Sequence, residues 1–209
     1  MRGLGVPIGA LLDGPQRAPR MRQQGESSTT TITLPYLPIP GSILLAGFSS
    51  QQRAGGVPAI SGGGARWTNI GWTGIASGAQ IDVGLWIGIV GPVPSVSVTI
   101  PYTNSGACWC GEWQGLRGIV LASAQGTVGA GTLTLAELVY LRGGIYVNTL
   151  GARSTTSGVT PPAESNAFMD RTNASRTVAA YSLRHNANRL TPSWSGLGGN
   201  SAGVSALIG

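Results

Sequence analysis

The chain of 209 residues contains no lysine, one histidine and two cysteines, and only 10% of its residues are charged. Each shortage removes a class of function. Without lysine there is no Walker-type phosphate loop, whose Gly-Lys-Ser/Thr end must reach the phosphates, so Gly62-Gly63-Gly64 is read as part of a flexible loop over 55–64. A zinc site takes about four ligands, and the lone His185 lies far from the Cys108-Trp109-Cys110 triplet. Residues two apart on a strand share a face and seldom have disulfide geometry. The two cysteines are therefore read as small buried hydrophobes, and nothing demands an oxidising compartment. His185 has no nucleophile placed beside it by motif and is read as a surface or interface residue. Asp82, Glu112, Glu137, Glu164 and Asp170 are mostly far apart in sequence, and nothing in their setting predicts a glycosidase pair. No catalytic, cofactor-binding or metal-ligating residue is expected. No apolar run approaches a membrane span either; 83–90 has only strand length.

Glycine and arginine are plentiful instead. The chain has 34 Gly, 13 Pro and 42% hydrophobic residues, with Trp and Val enough to exclude a disordered chain. Its thirteen basic residues are all Arg against seven acids, a formal net charge of +6. Arg2, Arg17, Arg20 and Arg22 crowd into the first 22 residues against a single acid, Asp13. The other arginines are scattered, which argues against the dense basic patch that nucleic acid requires. Arginine also suits subunit contacts, because its planar fork loses less entropy per hydrogen bond than lysine does. These four residues are the candidate subunit-contact set.

Residues 1–27 read as an extended basic arm, with five Gly, three Pro and no apolar period. The stretch 3–12 is short, broken by Gly and Pro, and followed by Asp13-Gly14-Pro15 without a small-x-small cleavage site, so it is not read as a signal peptide. Asn173-Ala174-Ser175 matches a glycosylation triplet, a pattern that arises by chance and here lacks an export signal. An arm of this composition frays unless something holds it, and a neighbouring subunit is the expected holder.

From residue 28 the pattern becomes that of a sheet protein. Strands are predicted over 28–34, 42–49, 66–72, 80–90, 95–102, 107–113, parts of 133–148, 177–183 and 203–208. In the longest, Ile81, Val83, Leu85, Ile87 and Ile89 share one face, and Asp82, Gly84, Trp86, Gly88 and Val90 the other. A short helix is credible only over 135–142. Nine to eleven strands at this turn spacing predict an all-β, antiparallel β-sandwich over 28–209, and no repeat of fixed period is visible. Of the six tryptophans, Trp67, Trp72 and Trp194 are candidates for stacking on a glycan, although Trp at strand spacing is more often core or subunit contact.

The stretch from Gly41-Ser42-Ile43-Leu44-Leu45, through Trp67 and the apolar strand 81–90, to 96–100 and Glu112-Trp113-Gln114-Gly115-Leu116 resembles the jelly-roll-like β-sandwich domains of tailed-phage virion proteins. Glu137-Leu138-Val139, and Trp194 followed by 204–208, are similar to the second half of such domains. Gln114 stands where those domains usually have Ser. The composition is similar to that of proteins from phages infecting high-GC actinobacteria. The resemblance covers 32–209 and implies a non-enzymatic virion building block, foremost a minor tail protein at the tail tip. A capsid decoration (cement) protein is the alternative, and a host-surface glycan-binding module a third. It further implies other virion subunits as partners, a homo-oligomer with a trimer favoured, and assembly in the host cytoplasm into the virion.

Overall fold

The computed structural model describes residues 18–51, 56–78, 80–102, 106–139, 144–153, 159–162, 166–172, 176–183 and 189–209, with the backbone alone for 166–172 and 176–183. Among the described residues there are seventeen strands and no helix. Two five-stranded antiparallel sheets form the body. The first contains β1 (Arg20–Ser27), β3 (Ile43–Ser50), β5 (Ala65–Ile75), β6 (Ile81–Val90) and β8 (Gly106–Gln114), ordered β1-β8-β3-β6-β5. The second contains β9 (Val120–Val128), β12 (Ile145–Ala152), β13 (Asn166–Thr172), β14 (Arg176–Leu183) and β17 (Ser201–Ile208), ordered β13-β14-β12-β17-β9. A small sheet of β2 (Thr31–Thr33), β7 (Ser97–Thr99) and β4 (Ser61–Gly62) covers the outer face of the first. Two strand pairs, β10 (Gly131–Thr134) with β16 (Ser193–Leu197) and β11 (Leu138–Val139) with β15 (Arg189–Leu190), cover the second.

This layering explains the apolar character of the central strands. A strand buried on both faces reads as a nearly continuous apolar run, whereas one with a wet face alternates. β3 and β12 are buried at every position. The core between the sheets takes Ile43, Leu45, Ile81, Val83, Leu85, Ile87, Trp109 and Trp113 from the first and Ile145, Val147, Ala202, Val204, Ala206 and Ile208 from the second. The opposite face of the first sheet, with Leu44, Ala46, Phe48, Trp86 and Val90, packs against Ile32, Val98 and Ile100. Tyr146 and Leu150 of β12 pack against Leu133, Leu138 and Trp194. In β6 the two predicted faces divide as expected, except that Ile89, at the strand end, is 51% exposed. In the middle of β3, Gly47 lies against the Trp109 indole and Thr149, where a Cβ would displace both. Gly62, Gly63 and Gly64 all take positive φ values (86°, 69° and 66°), the left-handed region that glycine enters at little cost, and turn the chain from β4 into β5.

Several elements differ from the sequence reading. The last eight residues of the expected arm 1–27 form β1, the edge strand of the first sheet, hydrogen-bonded to β8; residues 1–17 lie outside the described ones. The strands expected over 28–34 and 95–102 shrink to β2 and β7, with Pro35, Pro94 and Pro101, which have no N–H to donate, just beyond their last backbone bonds. The segment 133–148 divides into β10, β11 and β12, and Leu138–Val139, inside the stretch credible as a helix, is strand. β9 was not anticipated because its small and polar residues carry no large apolar alternation; neighbouring strands place it. A jelly roll interleaves its strands between two sheets. Here the chain completes one sheet by Gln114 before beginning the other at Val120.

Candidate interaction surface

Glu112 is a carboxylate in an otherwise apolar strand, fully buried, on the face of β8 that turns away from the inter-sheet core. Its register partner on β1 is Gln23, just after a bulge between Met21 and Gln23. A bulge inserts one extra residue and re-aims side chains that would otherwise alternate. Arg22 and Gln23, although consecutive, therefore both reach the same oxygen: Arg22 Nη1 and Gln23 Nε2 each donate to Glu112 Oε2 at 2.6 Å. The other oxygen, Oε1, accepts from the Ile39 backbone N–H at 2.7 Å and from Ser42 Oγ at 2.8 Å. Burial alone would raise the Glu112 carboxyl, but the bonds from Ile39, Arg22, Ser42 and Gln23 outweigh it and hold the group below the usual carboxylate range. With donors on both oxygens, the carboxylate fixes the groups that bond to it.

What it positions is the loop 35–40, Pro-Tyr-Leu-Pro-Ile-Pro. Gln23 Nε2 donates to Tyr36 O at 3.0 Å and Gln23 Oε1 accepts from Tyr36 N at 2.8 Å, so one amide engages both backbone polar groups of Tyr36. Arg22 Nη1 also donates to Leu37 O at 3.1 Å, and its guanidinium lies 6.0 Å from the Tyr36 ring centroid. The Ser42 backbone N–H donates to Ile39 O at 2.9 Å, and Ser42 Oγ, whose single hydrogen is shared with Glu112 Oε1, lies 2.7 Å from the same carbonyl. Pro35, Pro38 and Pro40 fix three φ angles before any of these bonds form. The result is a rigid loop whose apolar side chains face outward: Tyr36 is 65% exposed, Leu37 58% and Ile39 40%. Large exposed hydrophobes on ordered backbone mark interaction sites, and ordering them in advance removes part of the entropy cost of binding.

The residues singled out from sequence fall as follows. Arg20 donates to Gln114 Oε1 from Nε and Nη2 at 3.1 and 2.8 Å across the β1–β8 edge. Arg22 serves the loop clamp; Arg2 and Arg17 lie outside the described residues, as do His185, Glu164 and the Asn173–Ser175 triplet. Trp67 and Trp72 are half-buried against the outer core, with Trp67 Nε1 donating to Gly62 O at 3.0 Å. Trp194 is fully buried beneath the outer layer and presents no face to a sugar. Glu137 pairs with Arg189 at 3.0 Å, with both side chains well exposed, a contact worth little. Among the described residues no group of three or more His, Cys, Asp or Glu is placed to hold a metal ion, and no helix is long and apolar enough to cross a membrane. Sequence reasoning passed over Gln23, Ser42 and the 35–40 loop. The available signal was the lone acid inside an apolar strand together with three prolines in six residues.

Cys108 and Cys110 are both buried thiols, with Cys108 Sγ donating to Thr29 O at 3.1 Å. Burial pushes the Cys110 thiol up, with the neighbouring Cys108 and Glu112 adding to the effect. Thiolates are the reactive species. Native protein is therefore expected to resist a colorimetric thiol reagent, both cysteines reacting only when the chain is unfolded. Labelling of either at the rate of a free thiol would contradict the packing. Compared with known proteins, the chain matches no family model, no curated sequence and no solved structure.

Proposed function

We propose that this chain is a non-enzymatic assembly subunit that docks on a protein partner through the rigid 35–40 loop and the adjoining β1 edge. One observation carries the reading: a fully buried, four-times-bonded carboxylate holds an exposed Tyr-Leu-Ile surface in one conformation. A buried ion pair is weak support for stability and is better understood as a device for specifying geometry. The geometry specified here is that of a surface with no role in the chain's own core. Arg20 and the outer part of Arg22 flank it, so the complementary patch is apolar with an acidic rim. The resemblance carried by 41–45, Trp67, 96–100 and 112–116 supports reading such a subunit as part of a tailed-phage particle, at the tail tip, with capsid decoration as the alternative site.

The test is Leu37→Asp. Its side chain lies outside the clamp, which uses only the Leu37 carbonyl, so the effect on stability is expected to stay within about 0.5 kcal/mol, as for an ordinary surface change. Incorporation into particles, scored by copy number in cryo-microscopy maps, should fall at least tenfold. Normal occupancy of the folded variant would overturn the assignment of this surface. A few wild-type copies around a tail axis would identify a tip component, and hundreds over a shell a decoration protein.

A further inference from the structure

The first sheet, β1-β8-β3-β6-β5, runs first-fifth-second-fourth-third when its strands are numbered by their order within that half of the chain. The second, read from the other edge as β9-β17-β12-β14-β13, also runs first-fifth-second-fourth-third. Most outer strands obey the same rule; the β11–β15 pair of the second half has no counterpart in the first. β2 follows the first main strand of its half and pairs with β7, which precedes the fifth; β10 and β16 stand in the same places and pair likewise. β4, between the second and third main strands, pairs with β7, and Thr160, between β12 and β13, bridges to Ser195 of β16.

An irregularity recurs as well. Gly25 pairs with Cys110 and Gly126 with Gly203, which aligns Ala46 with Leu150 and hence Trp86 with Val178. The β5 bulge, between Asn69 and Gly71, lies opposite Trp86 and Leu85; the β13 bulge, between Ala167 and Met169, lies opposite Ala180 and Ala179. A bulge is a position-specific feature, and the third strand of each sheet carries one, the two lying two residues apart along the ladder.

The sequence keeps a trace. Gln24-Gly25 and Thr31-Ile32-Thr33-Leu34 return 101 residues later as Gln125-Gly126 and Thr132-Leu133-Thr134-Leu135. Burial along 20–27 is repeated position by position over 121–128. Gly25 makes room for Ile32, and Gly126 for Leu133 and Leu135. The repeat escaped the sequence reading because it occurs only twice, at long spacing, and keeps few identities.

The halves also meet as two copies would. β5 and β6 pack on β17 as β13 and β14 pack on β8; β6 packs on β12 as β14 packs on β3; and β3 and β12 face each other. These contacts are reciprocal, as in an isologous twofold interface, although β5 also packs closely on β9 without a counterpart of like extent between β13 and β1. We propose that the chain is a fused pair, two tandem copies of one β module of about a hundred residues, and that the inter-sheet core is an internalised subunit interface whose original partner was a second copy of the module. The copies have since become complementary. Gly25 pairs with Cys110 and Gly126 with Gly203, so Trp109, Gly111 and Trp113 correspond to Ala202, Val204 and Ala206. One copy presents large, small, large where the other presents small, large, small.

Two rearrangements of the whole chain test this. In the first, 119–209 precedes 1–118 through a short Gly/Ser linker. In the second, 119–209 is replaced by another copy of 18–118 carrying Trp109→Ala and Trp113→Ala. The reordered chain is expected to unfold cooperatively as a monomer within about 5 °C of wild type, the change of linkage being a small perturbation. The duplicated chain is also expected to be a folded, cooperatively unfolding monomer, with its midpoint about 10–20 °C lower because its repacked core is imperfect. The same duplicate without the alanines should be less stable still. A reordered chain that does not fold would overturn the proposal, since self-contained modules do not depend on which is made first. So would a reordered chain that folds beside an alanine-bearing duplicate that does not, because the module would then lack complementarity to itself.

Discussion

Glu112→Ala is expected to lower the thermal midpoint by about 6–12 °C, from a loss of about 3 kcal/mol at roughly 2–4 °C per kcal/mol for a chain of this length. The figure sits at the low end for breaking a buried ion pair because the Arg22 side chain keeps 29% of its surface in water and can be partly rehydrated. The remaining loss comes from Gln23, Ser42 and the Ile39 N–H, all aimed at an acceptor that has gone. The damage should be local in form as well. Protease cleavage within 35–41 should rise more steeply than the global midpoint falls, and hydrogen exchange at Ile39 should lose its protection. An unchanged midpoint with an intact loop would mean that the prolines alone hold it. The pH dependence follows from the same bonds. The folded-state carboxyl lies below its unfolded value of about 4.3, so its contribution is fully present above that pH and is lost as pH falls through the folded value. Glu112→Gln should flatten the acid limb of a stability-versus-pH curve, and a limb as steep as that of wild type would assign acid sensitivity to other groups.

Trp194→Ala is the second substitution of large expected effect. Trp194 is wholly buried, stands opposite Leu133 in the β10–β16 ladder and fills the space above Gly203. Removing a buried tryptophan costs about 3–5 kcal/mol, from the apolar burial lost and the cavity left behind. The layer it anchors consists of strand pairs only two to five residues long, which hold little structure by themselves. The outer layer over the second sheet is therefore expected to open before the sandwich does, giving a two-step denaturation curve in place of one. Trp67→Ala, at a half-buried position on the other outer layer, should cost less than half as much. Equal effects would mean that the two outer layers are held in the same way despite their different cores.

The class of fold was legible because β-branched alternation and glycine-rich turns are local signals, and the long β6 strand even showed which residues share a face. The alternation of Cys108 and Cys110 against Trp109 and Trp113 was legible for the same reason, and the two sets enter different cores. β1 was hidden because Arg, Gln and Glu fill positions whose burial comes from a bulge and a carboxylate ninety residues away. The role of Glu112 was hidden for the complementary reason: nothing near it in sequence announces that Ile39 and Ser42 will face it. Pairing at long range also decided which of the arginines would serve the chain itself, a matter on which composition is silent.

The single passage between the sheets, at 115–119, has a consequence for synthesis. The first sheet is complete by Gln114, yet the face holding Ile43, Leu45, Leu85, Trp109 and Trp113 has nothing to rest on until the second sheet exists. At about 5–20 residues per second, a ribosome takes roughly 5–20 seconds to supply the remaining part of the chain. During that interval the nascent protein displays a broad, greasy surface bounded by unpaired strand edges. Neighbouring nascent chains on a polysome would offer each other the very surface that each is waiting for, so translation speed through the second half sets the balance between a finished molecule and an entangled pair.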